Sequence, residues 1–173
     1  MDLVSHADFE ELQRAAQACE QCPAMCTRKK VLSWGNGTPT AKIMFVAEAP
    51  GRHGAEVTMI PLHGDKSGDN FELLLETAGI SRSEVFVTNA VLCNPQDEAG
   101  NNRPPKKEEI ANCAFWLARQ IAIVNPDIVV SLGATALKAL SLVSPHDLIL
   151  SASVRTKNEW NGRLIVPLYH PGQ

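Results

Sequence analysis

The sequence predicts an α/β protein, a three-layer α/β/α sandwich around a central, mostly parallel four-stranded sheet. Three observations carry that expectation. Ile43 to Ala47 is a run of five apolar residues without alternation, the mark of a strand buried on both faces. Runs of strand character at Glu84 to Thr88, Asp127 to Ser131 and Arg163 to Leu168 alternate with helical periodicity, a pattern that right-handed crossovers turn into parallel sheet. No segment repeats, and 173 residues with 45% hydrophobic content let one domain, 1–173, bury its own core without disulfides. Only 5% of the chain is aromatic, so that core must be mainly aliphatic.

The elements follow in order. From Asp8 to Cys19, Phe9, Leu12, Ala15 and Ala16 recur at helical spacing, with Glu10 and Glu11 in the first turn where the helix dipole favours them. Trp34 to Thr40 is turn-rich and leads into the first strand. That strand ends at Glu48-Ala49-Pro50-Gly51. Ligands of open α/β sheets sit outside the carboxyl ends of the strands, which makes Glu48 the first candidate for chemistry; the plain alternative is a Pro-Gly turn with a solvated glutamate. A polar, glycine-rich loop closes with Gly64 to Asn70, where Ser67 or Asp69 is placed to cap a helix over Phe71 to Ala78 that Gly79 stops. The backbone N–H groups at that helix start are candidates for a phosphate, the plain alternative being an ordinary capped helix start.

The second strand, Glu84 to Thr88, ends at Asn89, a second polar residue at the same sheet edge. A Pro- and Asn-rich loop, Asn94 to Pro105, precedes a helix starting at Lys106, with Ile110, Cys113, Ala114, Leu117 and Ile121 on one face, as far as Asn125-Pro126. The third strand, Asp127 to Ser131, a helix over Gly133 to Leu142 and the fourth strand, Arg163 to Leu168, complete the pattern, and the last stops at Tyr169-His170-Pro171. Three strand ends thus offer Glu48, Asn89 and His170.

A net charge of −3 and a pI near 5.9 do not advertise a nucleic-acid binder. Any DNA contact requires a local patch, for which Arg28-Lys29-Lys30, Arg52, Arg103, Lys106 and Lys107 are the candidates. The acidic N-terminus lacks the basic start and apolar run of a signal peptide, and no apolar stretch reaches membrane length, so a cytoplasmic location without a membrane partner is expected. Disulfides do not persist there, and the five cysteines need another account. Cys19 and Cys22 form a C-x2-C pair, whereas Cys93 and Cys113 are far apart, unlike the two short knuckles of a zinc ribbon. Four thiolates so distributed suit an iron-sulfur cluster; zinc, and plain burial of Cys93 and Cys113, stay open at this point. Cys26 reads as packing.

Glu48-Ala-Pro-Gly-Arg52 after one buried strand, Thr88-Asn89 after another, the four cysteines and Tyr169-His-Pro171, in that order, resemble the uracil-DNA glycosylase superfamily, most closely its iron-sulfur-containing family 4, with family 5 as neighbour. The resemblance implies a monofunctional DNA-repair glycosylase, a monomer, that flips uracil out of DNA and hydrolyses its N-glycosidic bond to leave an abasic site. It also implies a 4Fe-4S cluster on Cys19, Cys22, Cys93 and Cys113. By residue, it places Glu48 at the sugar and water, Asn89 at the uracil O4 and N3–H edge, and His170 near O2, with Ala49, Pro50, Gly51 and Leu62 among the base-binding positions. The chemistry agrees: uracil leaves as an anion from a cation-like sugar, so a donor at O2 and a carboxylate by the sugar bind the transition state better than the ground state. Taken singly, Asn89 also suits a turn cap and His170 a structural histidine.

The chain departs from the family pattern at several points. Ala47 replaces a glycine, and Leu62 stands where relatives have a phenylalanine that stacks on uracil. Asp97 to Asn101 looks like an insertion, without the histidine of a covalently trapping branch. The sequence stops soon after His170-Pro171, where relatives continue with a DNA-wedging loop, so a truncated C-terminal end is expected. Leu62 and that ending motivate a second reading, a non-catalytic module binding uracil or abasic DNA. A third, a hydrolase pairing Cys93 or Cys26 with His170, lacks a nucleophile motif around either cysteine.

Overall fold

The structure, a computed structural model, describes residues 3–172. It opens with helix α1 (Leu3–Gln17), in which Phe9, Leu12 and Ala16 are buried on one stripe. Phe9 is fully enclosed, edge-on to both Trp34 and Phe86 with ring centroids 5.1 and 5.6 Å away. Burying a side chain of that size stabilises the fold by about 2–3 kcal/mol. Strand β1 (Ile43–Ala47) follows, then the short helix α2 (Ala55–Thr58) and helix α3 (Lys66–Thr77). The cap of α3 is Asp65, whose carboxylate accepts from Gly68 N at 2.9 Å. The expected caps Ser67 and Asp69 lie inside the helix because it starts a turn earlier than its apolar stripe reveals. Gly79 takes the left-handed conformation that ends it.

Strand β2 (Val85–Asn89), helix α4 (Lys107–Val124), strand β3 (Ile128–Leu132), helix α5 (Ala134–Val143) and the short α6 (Leu150–Ser153) come next. The chain then makes a hairpin of β4 (Asn158–Trp160) and β5 (Arg163–Leu168). The sheet therefore has five strands in the order β2-β1-β3-β5-β4, all parallel but the last. The strand added to the expected four is β4, three residues long and without apolar alternation. Two cores flank the sheet. Met44, Val46, Phe86, Val129 and Ile165 face α1, α4 and α5, while Phe45, Ala47, Val87, Val130 and Leu132 face Phe71 and Leu75 of α3.

At the β2 margin the chain around Gly37 lies antiparallel to Phe86, and the Asn36 amide donates to Val87 O at 2.8 Å. Only glycine suits this contact: φ is +122° and a Cβ would collide with the Val85 carbonyl.

Candidate active site

Register brings the strand ends into one row. Ala47 pairs with Asn89, and Leu132 with Leu168, so Glu48, Asn89, Gly133 and Tyr169-His170 all lie at the carboxyl edge of the sheet. Ala90 N donates to Ala47 O at 2.8 Å and Gly133 N to Leu168 O at 2.8 Å, extending the ladder past the last paired residues.

Outside this edge is a cavity of about 170 Å³. Pockets for drug-sized ligands run to roughly 300–1,000 Å³, so this one has room for a single planar heterocycle. Glu48, Ala49, Pro50, Gly51, Leu62 and His170 line it together. Asp65, Ser67, Asn94, Asn102 and Arg103 line it as well, and the sequence reading had not assigned any of them to base or catalytic positions. A wider, open hollow at Asp127 and Trp160 to Leu164 lies at the amino ends of β3 and β5, away from these groups.

Asn89 is not among the lining residues. It is 2% exposed, and alternation along β2 puts it with Val85 and Val87 on the face that carries Leu62. Its Nδ2 has no hydrogen-bond partner among the described residues. A buried amide left unpaired costs about 1–3 kcal/mol, and the hydroxyls of Thr88 and Ser131 in the same sheet are unpaired as well. Leu62 lines the cavity with φ at +50°, a left-handed backbone that a bulky side chain adopts only under constraint.

Glu48 is half-buried, and its Oε2 accepts from Thr135 Oγ1 at 2.5 Å. His170 is half-buried too; its Nδ1 accepts from the backbone N–H of Gly172 at 3.0 Å, which puts the neutral ring's proton on Nε2. Burial lowers the His170 pKa below the ordinary 6.5, while the negative charges of Glu48 and Asp65 partly restore it. The imidazole is thus a neutral donor beside a carboxylate. Asn70 Nδ2 donates to Pro171 O at 2.8 Å and ties the His-Pro turn to α3.

The loop after β2 clasps the first motif. The buried Asn94 donates through Nδ2 to Pro50 O (2.6 Å) and Asn102 Oδ1 (2.9 Å) and accepts from Gln96 Nε2 (2.6 Å). The expected basic patch is largely engaged within the chain. Arg28 donates to Gln96 Oε1 and pairs with Glu56, Arg52 Nη1 donates to Gly100 O, and Arg103 holds Glu109 through two bonds of 2.8 and 2.6 Å. Lys30 is 6% exposed, with Nζ on Cys26 O at 2.7 Å, and so cannot meet phosphate. Lys29, Lys106 and Lys107 remain exposed.

All five cysteines are free, and Cys26 is exposed. Burial pushes the Cys93 thiol up to about 11; the Lys30 charge opposes this, and Cys19 and Cys22 add to it. Cys113 rises to about 12, mainly by burial, with Cys93, Cys22 and Cys19 contributing and a backbone bond at Leu92 opposing. Asn112, next to Cys113 on α4, donates to Cys22 Sγ at 3.4 Å, which brings α4 up to the segment that follows α1. Among the described residues no three Cys, His, Asp or Glu side chains converge tightly enough to grip one ion. Four soft thiol donors are what an iron-sulfur cluster takes, and zinc accepts the same donors.

Fold and cavity define an α/β protein with a hollow where its parallel sheet ends, lined by the Glu48 carboxylate and the His170 imidazole, with the buried Asn89 amide at the same edge. The chain belongs to the uracil-DNA glycosylase superfamily: the family described as "Uracil DNA glycosylase superfamily" matches residues 34–173. It is 34% identical over 164 residues to the Type-4 uracil-DNA glycosylase of Thermotoga maritima, covering 94% of this chain and 81% of that one. It is 32% identical over 177 residues to the Type-4 enzyme of Sulfurisphaera tokodaii, covering 94% and 74%. A Type-5 uracil-DNA glycosylase of Pyrobaculum aerophilum is 29% identical over 150 residues, covering 70% and 64%. No helix among the described residues is long and apolar enough to cross a membrane.

Proposed function

We propose that the uracil excision of this family is carried out here by Glu48, Asn89 and His170, in a single domain that hydrolyses the N-glycosidic bond of uracil in DNA and leaves an abasic site. The observation that carries the assignment is the unpaired Nδ2 of buried Asn89. An amide can donate to O4 of uracil while accepting from N3–H; cytosine presents an amino donor and a bare ring nitrogen at those positions, and so mismatches both contacts.

The target base must leave the stack to reach a cavity of this size. Leu62 lies over it, with Ala49, Pro50 and Gly51 as the wall beneath Glu48. As the bond breaks, electrons pass to the base and positive charge grows on the sugar. His170 Nε2–H is the donor for the O2 on which the negative charge accumulates, and it reaches there as a neutral imidazole that needs no proton from solvent. Glu48 sits at the opposite pole, where its carboxylate favours the cation-like sugar and orients the water that adds to it.

Cys19, Cys22, Cys93 and Cys113 are the ligands we assign to a 4Fe-4S cluster. Bound there, it supplies cross-linking of α1, the loop after β2 and α4, and no redox step at the base. Four soft thiol donors, with Asn112 of α4 donating to Cys22 Sγ at 3.4 Å, support a cluster over plain burial of the cysteines. A reducing compartment, the cytoplasm, agrees with five free cysteines, and we read the working unit as a monomer.

The test is excision from a labelled oligonucleotide containing one uracil, followed by alkali and sizing. Breakage at the uracil that disappears in Asn89→Ala supports the assignment. Retarded DNA that stays intact after alkali would overturn it in favour of a binding module.

A further inference from the structure

The scheme above gives no part to Thr135, yet among the described residues it makes the one side-chain hydrogen bond to the proposed catalytic carboxylate. Thr135 Oγ1 donates to Glu48 Oε2 at 2.5 Å, the short length of a charge-assisted O–H···O bond. Among the described residues no other hydrogen bond or ion pair engages that carboxylate. Thr135 lies in the first turn of α5, two residues after Gly133, whose N–H is fixed to Leu168 O at the end of β5. Gly133 has φ at +94°, and a Cβ there would stand 3.3 Å from Cβ of His170. One turn therefore bears on both poles of the site: Gly133 lies under His170, and Thr135 holds Glu48.

We propose that Thr135 is a positioning residue for uracil excision, holding Oε2 of Glu48 so that Oε1 alone is presented to the sugar and the attacking water. This rests on the reading that Glu48 serves the reaction. A glutamate has three side-chain torsions, and a half-buried one without an anchor samples several rotamers. Only a fraction of those would address the reacting carbon, and misplacement by about 1 Å can cost 10²-fold in rate. The β-carbon branch of Thr135 adds to the effect, since it restricts χ1 and keeps the hydroxyl aimed.

The experiment compares full-length wild type, Thr135→Val and Thr135→Ser in single-turnover excision of uracil from an oligonucleotide, with DNA affinity measured alongside. Thr135→Val preserves shape and removes only the hydroxyl. It is expected to lower the excision rate about 10- to 100-fold with affinity unchanged, and Thr135→Ser to recover the rate to within about threefold of wild type. In a Glu48→Ala background the Val substitution is expected to cost less than about twofold, because the group it positions is gone. An unaffected rate in Thr135→Val, a loss expressed in affinity alone, or failure of Thr135→Ser to recover would overturn the inference while wild-type excision stood. Wild-type protein that excises no uracil would overturn the functional reading and this inference together. Should Thr135→Val fail to fold, Thr135→Ala at this half-exposed position gives the same readout.

Discussion

Gly172 donates its backbone N–H to Nδ1 of His170 at 3.0 Å, and this bond between residues two apart decides which edge of the ring can donate. It also resists protonation of the ring, since a protonated Nδ1 would face the Gly172 hydrogen. Burial acts in the same direction and lowers the His170 pKa. Between the ordinary value near 6.5 and the lowered one, the unfolded chain holds a proton that the folded chain lacks. Stability from this residue is therefore complete above about pH 6.5 and lost as pH falls through the folded value. Melting temperature is expected to drop on acidification from about pH 7 to 5 more steeply in wild type than in His170→Gln. Parallel curves would contradict the assignment.

Asn89→Asp is expected to cut uracil excision by at least about tenfold, because an ionised carboxylate repels O4 and cannot replace the Nδ2 donor. Single-turnover rates check this. A rate equal to wild type would remove Asn89 from base recognition.

With the proposed cluster joining α4 to the end of α1 and the loop after β2, Cys113→Ser is expected to abolish a brown colour and lower thermal stability together. Absorbance and melting of the same sample decide it. A colourless variant of unchanged stability would deny the cluster its structural role, and one mole of zinc in place of iron would replace the cofactor.

The Arg103 guanidinium bridges both oxygens of buried Glu109, whose carboxyl it holds below the ordinary range. A fully buried pair broken on one side costs about 3–5 kcal/mol. Arg103 keeps about a fifth of its side chain in water, which brings the expected cost of Arg103→Ala to about 2 kcal/mol by denaturant titration. The Glu109 contribution is complete above its ordinary pKa of 4.5 and is lost as pH falls through the lowered folded value, so the two proteins should converge on acidification.

Leu62→Phe is expected to strengthen inhibition by free uracil about fivefold, which is about 1 kcal/mol and the low end of base-aromatic stacking. Weaker inhibition would show that the left-handed turn at Leu62 cannot seat a ring.

The sheet and the row of polar strand ends were legible because a strand buried on both faces leaves an unbroken apolar run, and Glu48, Asn89 and His170 each interrupt such a run. Register then places all three at one edge. Thr135 carried the same signal one strand over, just past Leu132, but Gly133-Ala134 hid it behind a helix start. The Asn94 clasp on Pro50 was illegible for another reason. Its partners lie 44 and 8 residues away, and no local pattern encodes such pairing. Local composition also misled at Arg28-Lys29-Lys30, where a run of charge conceals a buried lysine and an arginine turned inward.

The margins of the sheet have a consequence for life in a crowded cell. A long bare strand edge is a template on which another chain can zip up, the first step towards amyloid. Here the β2 side is closed by Gly37 against Phe86, and the opposite side is only three residues of β4 with Glu159 at their centre. Replacing Gly37 by any residue with a Cβ would push that cover off Val85 and expose the strand. The damage would appear first as turbidity on standing, with the chemistry at the far ends of the strands still intact.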